Sequence, residues 1–187
     1  MEDDSNDYAW KIILWLILFL VFGIIIIACR REPRQEIMTV SGAIDPDRLG
    51  TTLVHEHVLV DFIGADSTGY FRWNRDSVIA KALPFILKAK EAGVNSVFEC
   101  TPEYLGRDPV ILRELSARSG ITFITNIGWY GFNNKFLPGN FSDIDVNRLS
   151  EKWTSEFVNG IDGTGIRPGF IKIAVNPSDS LSEADIK

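Results

Sequence analysis

Histidine, cysteine and excess positive charge are all scarce in this 187-residue chain. Cys29 and Cys100 are its only thiols, so there is no disulfide framework. Cys29 closes an apolar segment and Cys100 falls in an expected strand, so a bond between them would be unnatural. Lysine and arginine number 19 against 25 acidic residues, a formal charge of −6. No basic patch interleaved with aromatics occurs, which argues against nucleic acid as a partner. No glycine-rich phosphate loop follows the first strand of the expected alternating repeat, which argues against a nucleotide-binding Rossmann unit. Charged residues are missing altogether from Ile12 to Cys29.

That uncharged run dominates the N-terminal segment, residues 1–36. As a helix it would extend roughly 27 Å, close to the hydrocarbon thickness of a bilayer. Tyr8 and Trp10 precede it, and Arg30, Arg31 and Arg34 follow it. Three expectations stay open at this stage. The run is a single-pass transmembrane anchor, with the trailing arginines on the cytoplasmic side. It is a lipoprotein signal, because Ile26-Ile27-Ala28-Cys29 resembles a lipobox. Or it is a cleaved signal peptide, against which the acidic start argues. The first two place the protein at a membrane through its N-terminal segment. Glu32-Pro33-Arg34-Gln35-Glu36 reads as a polar linker.

The second region, residues 37–187, alternates strand and helix. Ile37 to Leu49 predicts a small β-hairpin with a turn at Asp45-Pro46-Asp47. Thr51 to Asp61 predicts a buried strand, followed by a loop to Asn74. Asp76 to Ala92 has helical period, with Val78, Ile79, Ala82, Leu83, Ile86 and Leu87 on one face, a kink at Pro84 and an end at Gly93. Val94 to Cys100 predicts a strand. Asp108 to Ser119 predicts a helix, with Asp108 as N-cap, Pro109 at its first position and Gly120 at its end. Ile121–Ile127 and Gly169–Val175 predict further strands. Asp143–Val158 predicts a helix, and Ser180 begins another. Such alternation implies an α/β fold with parallel strands and helices outside. A complete (β/α)8 barrel needs about 250 residues, so the chain holds roughly half of one.

Within that frame two signals carry chemistry. The only histidines, His55 and His57, stand two apart on a strand, where residues i and i+2 face one side. Their imidazoles can therefore share a metal ion, although a catalytic zinc usually takes about three protein ligands. The second signal is Lys172, flanked by Phe170 and Ala174 on the face opposite Ile171, Ile173 and Val175. In a barrel that face points inward, where a lone ammonium is costly. Reaction with carbon dioxide would turn it into an anionic carbamate with two donor oxygens. The alternative is a strand-end lysine whose head reaches water.

Gly50-Thr51-Thr52-Leu53-Val54-His55-Glu56-His57 resembles the opening signature of the phosphotriesterase family, within the amidohydrolase superfamily. Glu99-Cys100-Thr101 with Leu105-Gly106-Arg107-Asp108, then Thr125-Asn126-Ile127-Gly128-Trp129-Tyr130, then Gly165-Ile166-Arg167-Pro168-Gly169-Phe170-Ile171-Lys172, resemble later segments of the same family in the same order. The resemblance implies the N-terminal half of a (β/α)8 TIM barrel over residues 37–187. It implies two divalent metal ions, zinc first among them, with His55 and His57 on the more buried ion. Lys172, N6-carboxylated, would bridge both and act in catalysis. Trp129 or Tyr130 would line the substrate pocket, or serve packing alone. Gly106, Arg107 and Asp108 read as structural.

The implied reaction is hydrolysis of a small-molecule ester, lactone or phosphotriester through a metal-bridging hydroxide. The family's remaining ligands, two histidines and an aspartate from later strands, are not in this sequence. The expectation is therefore a truncated fragment of a hydrolase. The alternative is a non-catalytic, membrane-anchored half-barrel with a binding or assembly role, and a homodimer could complete the barrel.

Overall fold

The computed structural model describes residues 4–28, 35–132, 134–175, 180, 181 and 186. Cys29, most of the linker and most of the last expected helix lie outside the described residues. The chain divides into two units, residues 1–35 and 36–187.

The first unit is a helix, α1 (Asp4–Ala28). Its described side chains run from Trp10 to Gly23 and are exposed for most of that length. Among the described residues no helix is long and apolar enough to cross a membrane. This finding corrects the expected single-pass anchor or lipoprotein.

The second unit begins with the hairpin of β1 (Ile37–Thr39) and β2 (Gly42–Ile44), paired antiparallel. The strands β3 (Thr52–Glu56), β4 (Ser96–Glu99) and β5 (Thr122–Ile124) then form a parallel sheet in that order. After a break at Thr125, β6 (Asn126–Ile127) pairs parallel with β7 (Phe170–Ile171). Single bridges extend the pattern at Glu103–Trp129 and Tyr130–Ala174.

The helices alternate with these strands: α2 (Arg75–Glu91), α3 (Pro109–Ser119) and α4 (Val146–Asn159). Each starts on a side chain that satisfies its free N–H groups, as helix starts require. Asn74 caps α2, Asp108 caps α3 and Asp145 caps α4. Gly120 ends α3, and Pro84 lies inside α2 without ending it. The helix continues because the face of α2 formed by Val78, Ile79, Ala82, Leu83 and Ile86 is held by the core.

That core lies between the sheet and α2 and α3, around Val97, Ile111, Leu112, Leu115, Ile121 and Phe123. A second cluster gathers Trp129, Leu137 and Leu149 with Tyr104, Phe141, Ile144 and Trp153.

Three burial expectations need correction. Leu87 is 39% exposed, because it sits at the edge of the apolar face of α2. The strand of His55 and His57 is not buried, since β3 ends its sheet and both histidines are exposed. Ile171, Ile173 and Val175 are 46–61% exposed instead of packed under helices. Ile171 borders a groove of about 350 Å³ between β7 and α4, lined also by Ile127, Leu149, Trp153 and Phe157.

Candidate metal centre

His55 lies in β3 and His57 just beyond its end, while Lys172 directly follows β7. In a parallel arrangement these are the same, C-terminal ends of the strands. The fold thus brings together residues 117 apart in sequence: Lys172 Nζ stands 3.3 Å from His55 Nε2. The rings of His55 and His57 have centroids 5.3 Å apart at an interplanar angle of 61°. Partial desolvation of the His57 ring pulls its pKa below the ordinary imidazole value, aided by the nearby charges of His55 and Lys172. A neutral imidazole is the form a metal binds.

Lys172 is positioned by its own backbone. Its N–H donates to the Ile127 carbonyl at 2.7 Å. Gly128 permits this approach: with φ +120° and no side chain, it lets the Lys172 carbonyl come within 2.0 Å of where a Cβ would stand.

A further group holds His57. Its Nδ1 lies 2.9 Å from the Thr101 hydroxyl, which in turn donates to Glu99. Glu99 is 2% exposed and also accepts from the Val58 and Thr101 N–H groups, at 3.1 and 3.2 Å. Burial drives its pKa up to about 7, with those hydrogen bonds opposing the rise. The sequence reading gave Glu99 and Thr101 no individual role. A signal was present, namely a carboxylate in the otherwise apolar run Val97-Phe98-Glu99 with a hydroxyl two residues on, the same-side spacing of a strand.

The two aromatic candidates separate. Trp129 is buried at 4% exposure and packs against Tyr104, Phe141 and Trp153, with centroids 5.6, 5.7 and 6.2 Å away. Its Nε1 donates to Glu103 at 2.6 Å. Trp129 is therefore a core residue of the second cluster. Tyr130 is half-buried, bridges to Ala174 two residues past Lys172, and packs on Phe132 and Phe136.

Glu103, Glu156 and Asp162 form a second group of metal-ligand type. Its charge is already compensated. Arg107 pairs with Glu156 at 3.0 Å and with Asp162 at 3.5 Å, and Lys152 reaches Glu103 and Glu156 at 3.1 Å each. Burial alone would lower the Arg107 pKa, but Glu156 and Glu103 outweigh it and hold the value above the ordinary range. Two cations among three carboxylates make this an ion-pair network that ties α4 to the strand ends. Arg107 also donates to the Asn126 carbonyl, and Asp108 caps α3 while receiving Trp73 and Arg75. Gly106, at φ +110°, lies close under the Leu59 carbonyl. All three residues of this motif thus have structural work.

The fold and site define an α/β protein whose parallel strands present two imidazoles and a lysine at their C-terminal ends. The model of the phosphotriesterase family matches residues 35–184. The chain belongs to that family.

Among curated relatives, it is 28% identical over 125 residues to a phosphotriesterase homology protein of Escherichia coli, covering 67% of this chain and 41% of that protein. It is 26% identical over 134 residues to the aryldialkylphosphatase of Saccharolobus solfataricus, covering 72% and 42%. The solved organophosphorus hydrolase of Deinococcus radiodurans superposes with a TM-score of 0.69 at 28% identity, covering 83% of this chain and 48% of that one. The chain spans about half the length of these relatives, and its parallel α/β fold is similar to theirs.

Proposed function

We propose that residues 37–187 are the first half of the barrel of a metal-dependent hydrolase that cleaves an ester bond in a small molecule. Phosphotriesters, lactones and carboxylic esters are the candidate substrate classes. Residues 1–36 precede this domain as a separate segment and linker. The observation that carries the reading is the convergence of His55, His57 and Lys172 at one end of parallel strands. The relatives named as phosphatase and hydrolase support it.

The donor chemistry suits the proposed metals. Two imidazoles and a carboxylate-type oxygen are a zinc ligand set. His55 and His57 would hold metal through their imidazoles, and Lys172, carboxylated at Nζ, would supply oxygen ligands beside them. Carboxylation is balanced simply: the neutral amine adds to the carbon of carbon dioxide and one proton leaves. Two bound ions would supply Lewis acidity and lower the pKa of water at the site. The chain's own residues hold the geometry. Gly128 and Ile127 set the depth of Lys172, Thr101 holds the His57 ring, and Tyr130 flanks the strand end where substrate would approach.

Zinc competition against a chromophoric chelator tests the site, in bicarbonate buffer, on the full 187-residue chain. His55→Ala, His57→Ala and Lys172→Ala should each weaken binding at least about tenfold. Carbon-13 bicarbonate should label Lys172 and not Lys172→Ala. Equal zinc affinity in all four proteins would remove the site. A panel of phosphotriesters, lactones and aryl esters then reads turnover, and zinc binding without turnover would match a binding or assembly role instead.

A further inference from the structure

We infer that Glu99, acting through Thr101, is a positioning residue that fixes His57 as the Nδ1–H tautomer and presents its Nε2 as the free donor. The inference rests on the reading of His57 as a metal ligand, and deepens it.

A threonine hydroxyl has one proton and two lone pairs. The Thr101 hydroxyl directs its proton at Glu99, the shortest contact of that carboxylate. Glu99 has little choice in the matter. Its two oxygens already accept the Val58 and Thr101 N–H groups, so the ionised carboxylate is an acceptor on every side. The Thr101 oxygen thus turns a lone pair toward His57 Nδ1, 2.9 Å away. For that contact to be a hydrogen bond, the ring must donate, and Nδ1 must carry the proton. A neutral imidazole with a proton on Nδ1 has a bare Nε2.

The relay is rigid as well as directional. Thr101 is fully buried, and its carbonyl and that of Glu99 both accept from the Asn126 side chain, at 3.1 and 2.9 Å. β4 therefore hands a fixed acceptor to the end of β3. Among the described residues His55 has no such partner, and its Nε2 faces Lys172 instead. The two imidazoles are thus held by different means. One is oriented by an outer carboxylate, the arrangement that commonly fixes the tautomer of a metal-binding histidine.

Nitrogen-15 correlation spectra of the metal-free, full-length chain test this without any activity assay. Only two imidazoles contribute, and His55→Gln assigns them. The spectra are recorded at a pH of about 8.5, above the ordinary imidazole range. The wild type should show His57 with a protonated Nδ1 and a bare, pyridine-type Nε2. Thr101→Ser keeps the hydroxyl and should keep that pattern. Thr101→Val should lose it and shift His57 toward the Nε2–H form, with His55 signals unchanged. Glu99→Gln should shift it partly, because an amide must turn a donor toward one of the three groups Glu99 now accepts. Zinc affinity should fall about 10- to 100-fold in Thr101→Val. A wild-type His57 in the Nε2–H form overturns the relay, as does a Thr101→Val spectrum identical to wild type. If the tautomer behaves as stated but zinc does not bind, the relay stands and the metal reading fails.

Discussion

Replacing Gly128 by alanine is a one-methyl test of how the site is assembled. Gly128 is buried, directly before Trp129 and against the Lys172 backbone. A Cβ there would stand 2.0 Å from the Lys172 carbonyl oxygen and 2.8 Å from its carbon. Ordinary van der Waals contact begins near 3.4 Å, so the Lys172 strand must retreat by more than 1 Å. The backbone angle of +120° adds strain for any residue with a side chain, of about 1–3 kcal/mol. The retreat also breaks the 2.7 Å bond from the Lys172 N–H to Ile127 and threatens the β6–β7 pairing, at about 1 kcal/mol per bond.

Together these give roughly 3–5 kcal/mol, which in a domain of this size lowers Tm by about 6–20 °C. The chemical consequence is local. Lys172 Nζ is drawn away from His55, and zinc affinity drops with it. Thermal unfolding of wild type and Gly128→Ala, with a nuclear Overhauser measurement between the Lys172 ε-methylene and the His55 ring, reads both effects. A variant with unchanged Tm and unchanged Lys172–His55 contact would refute the claim that this glycine sets the position of the lysine.

Glu99 should make stability depend on pH. Its folded pKa of about 7 lies above the ordinary 4.5, so the folded state holds the proton more tightly. The contribution is full below about 4.5, falls by about 1.4 kcal/mol per pH unit up to about 7, and then levels off. Denaturant titrations should show a Glu99-dependent loss on the order of 3 kcal/mol across that window, and Glu99→Gln should lack this slope. Arg107→Met leaves Glu156 and the Asn126 carbonyl without their buried partner and should cost about 3–5 kcal/mol; a variant that melts with wild type would show the network to be idle. The exposed Ile171, at the α4 groove, with the exposed Ile173 and Val175 further along the chain, should drive self-association, and sedimentation velocity should show it reduced in Ile171→Lys.

Local chemistry determined much of the secondary structure. The hairpin, the caps at Asp108 and Gly120, and the alternation of strands with α2, α3 and α4 follow from turn residues, caps and period, which act over a few residues. The pair His55 and His57 was equally legible, because a spacing of two on a strand fixes a shared side whatever the fold. Lys172 showed only as an oddity of its strand, and its role came from the resemblance of whole segments.

The tertiary structure decided what lies far apart in the chain. It placed Lys172 against His55, and it joined Glu99 and Thr101, at and just past the end of β4, to His57, just past the end of β3. It turned Trp129 into the second core and left Tyr130 at the strand end. It also decided exposure: Ile171, Ile173 and Val175 have the alternation of a covered strand, yet burial depends on which element lies over them, and a period carries no record of that. Hydrophobic pattern says which side of an element wants an apolar neighbour. Only the packed chain supplies that neighbour, or brings a buried carboxylate within one hydroxyl of an imidazole.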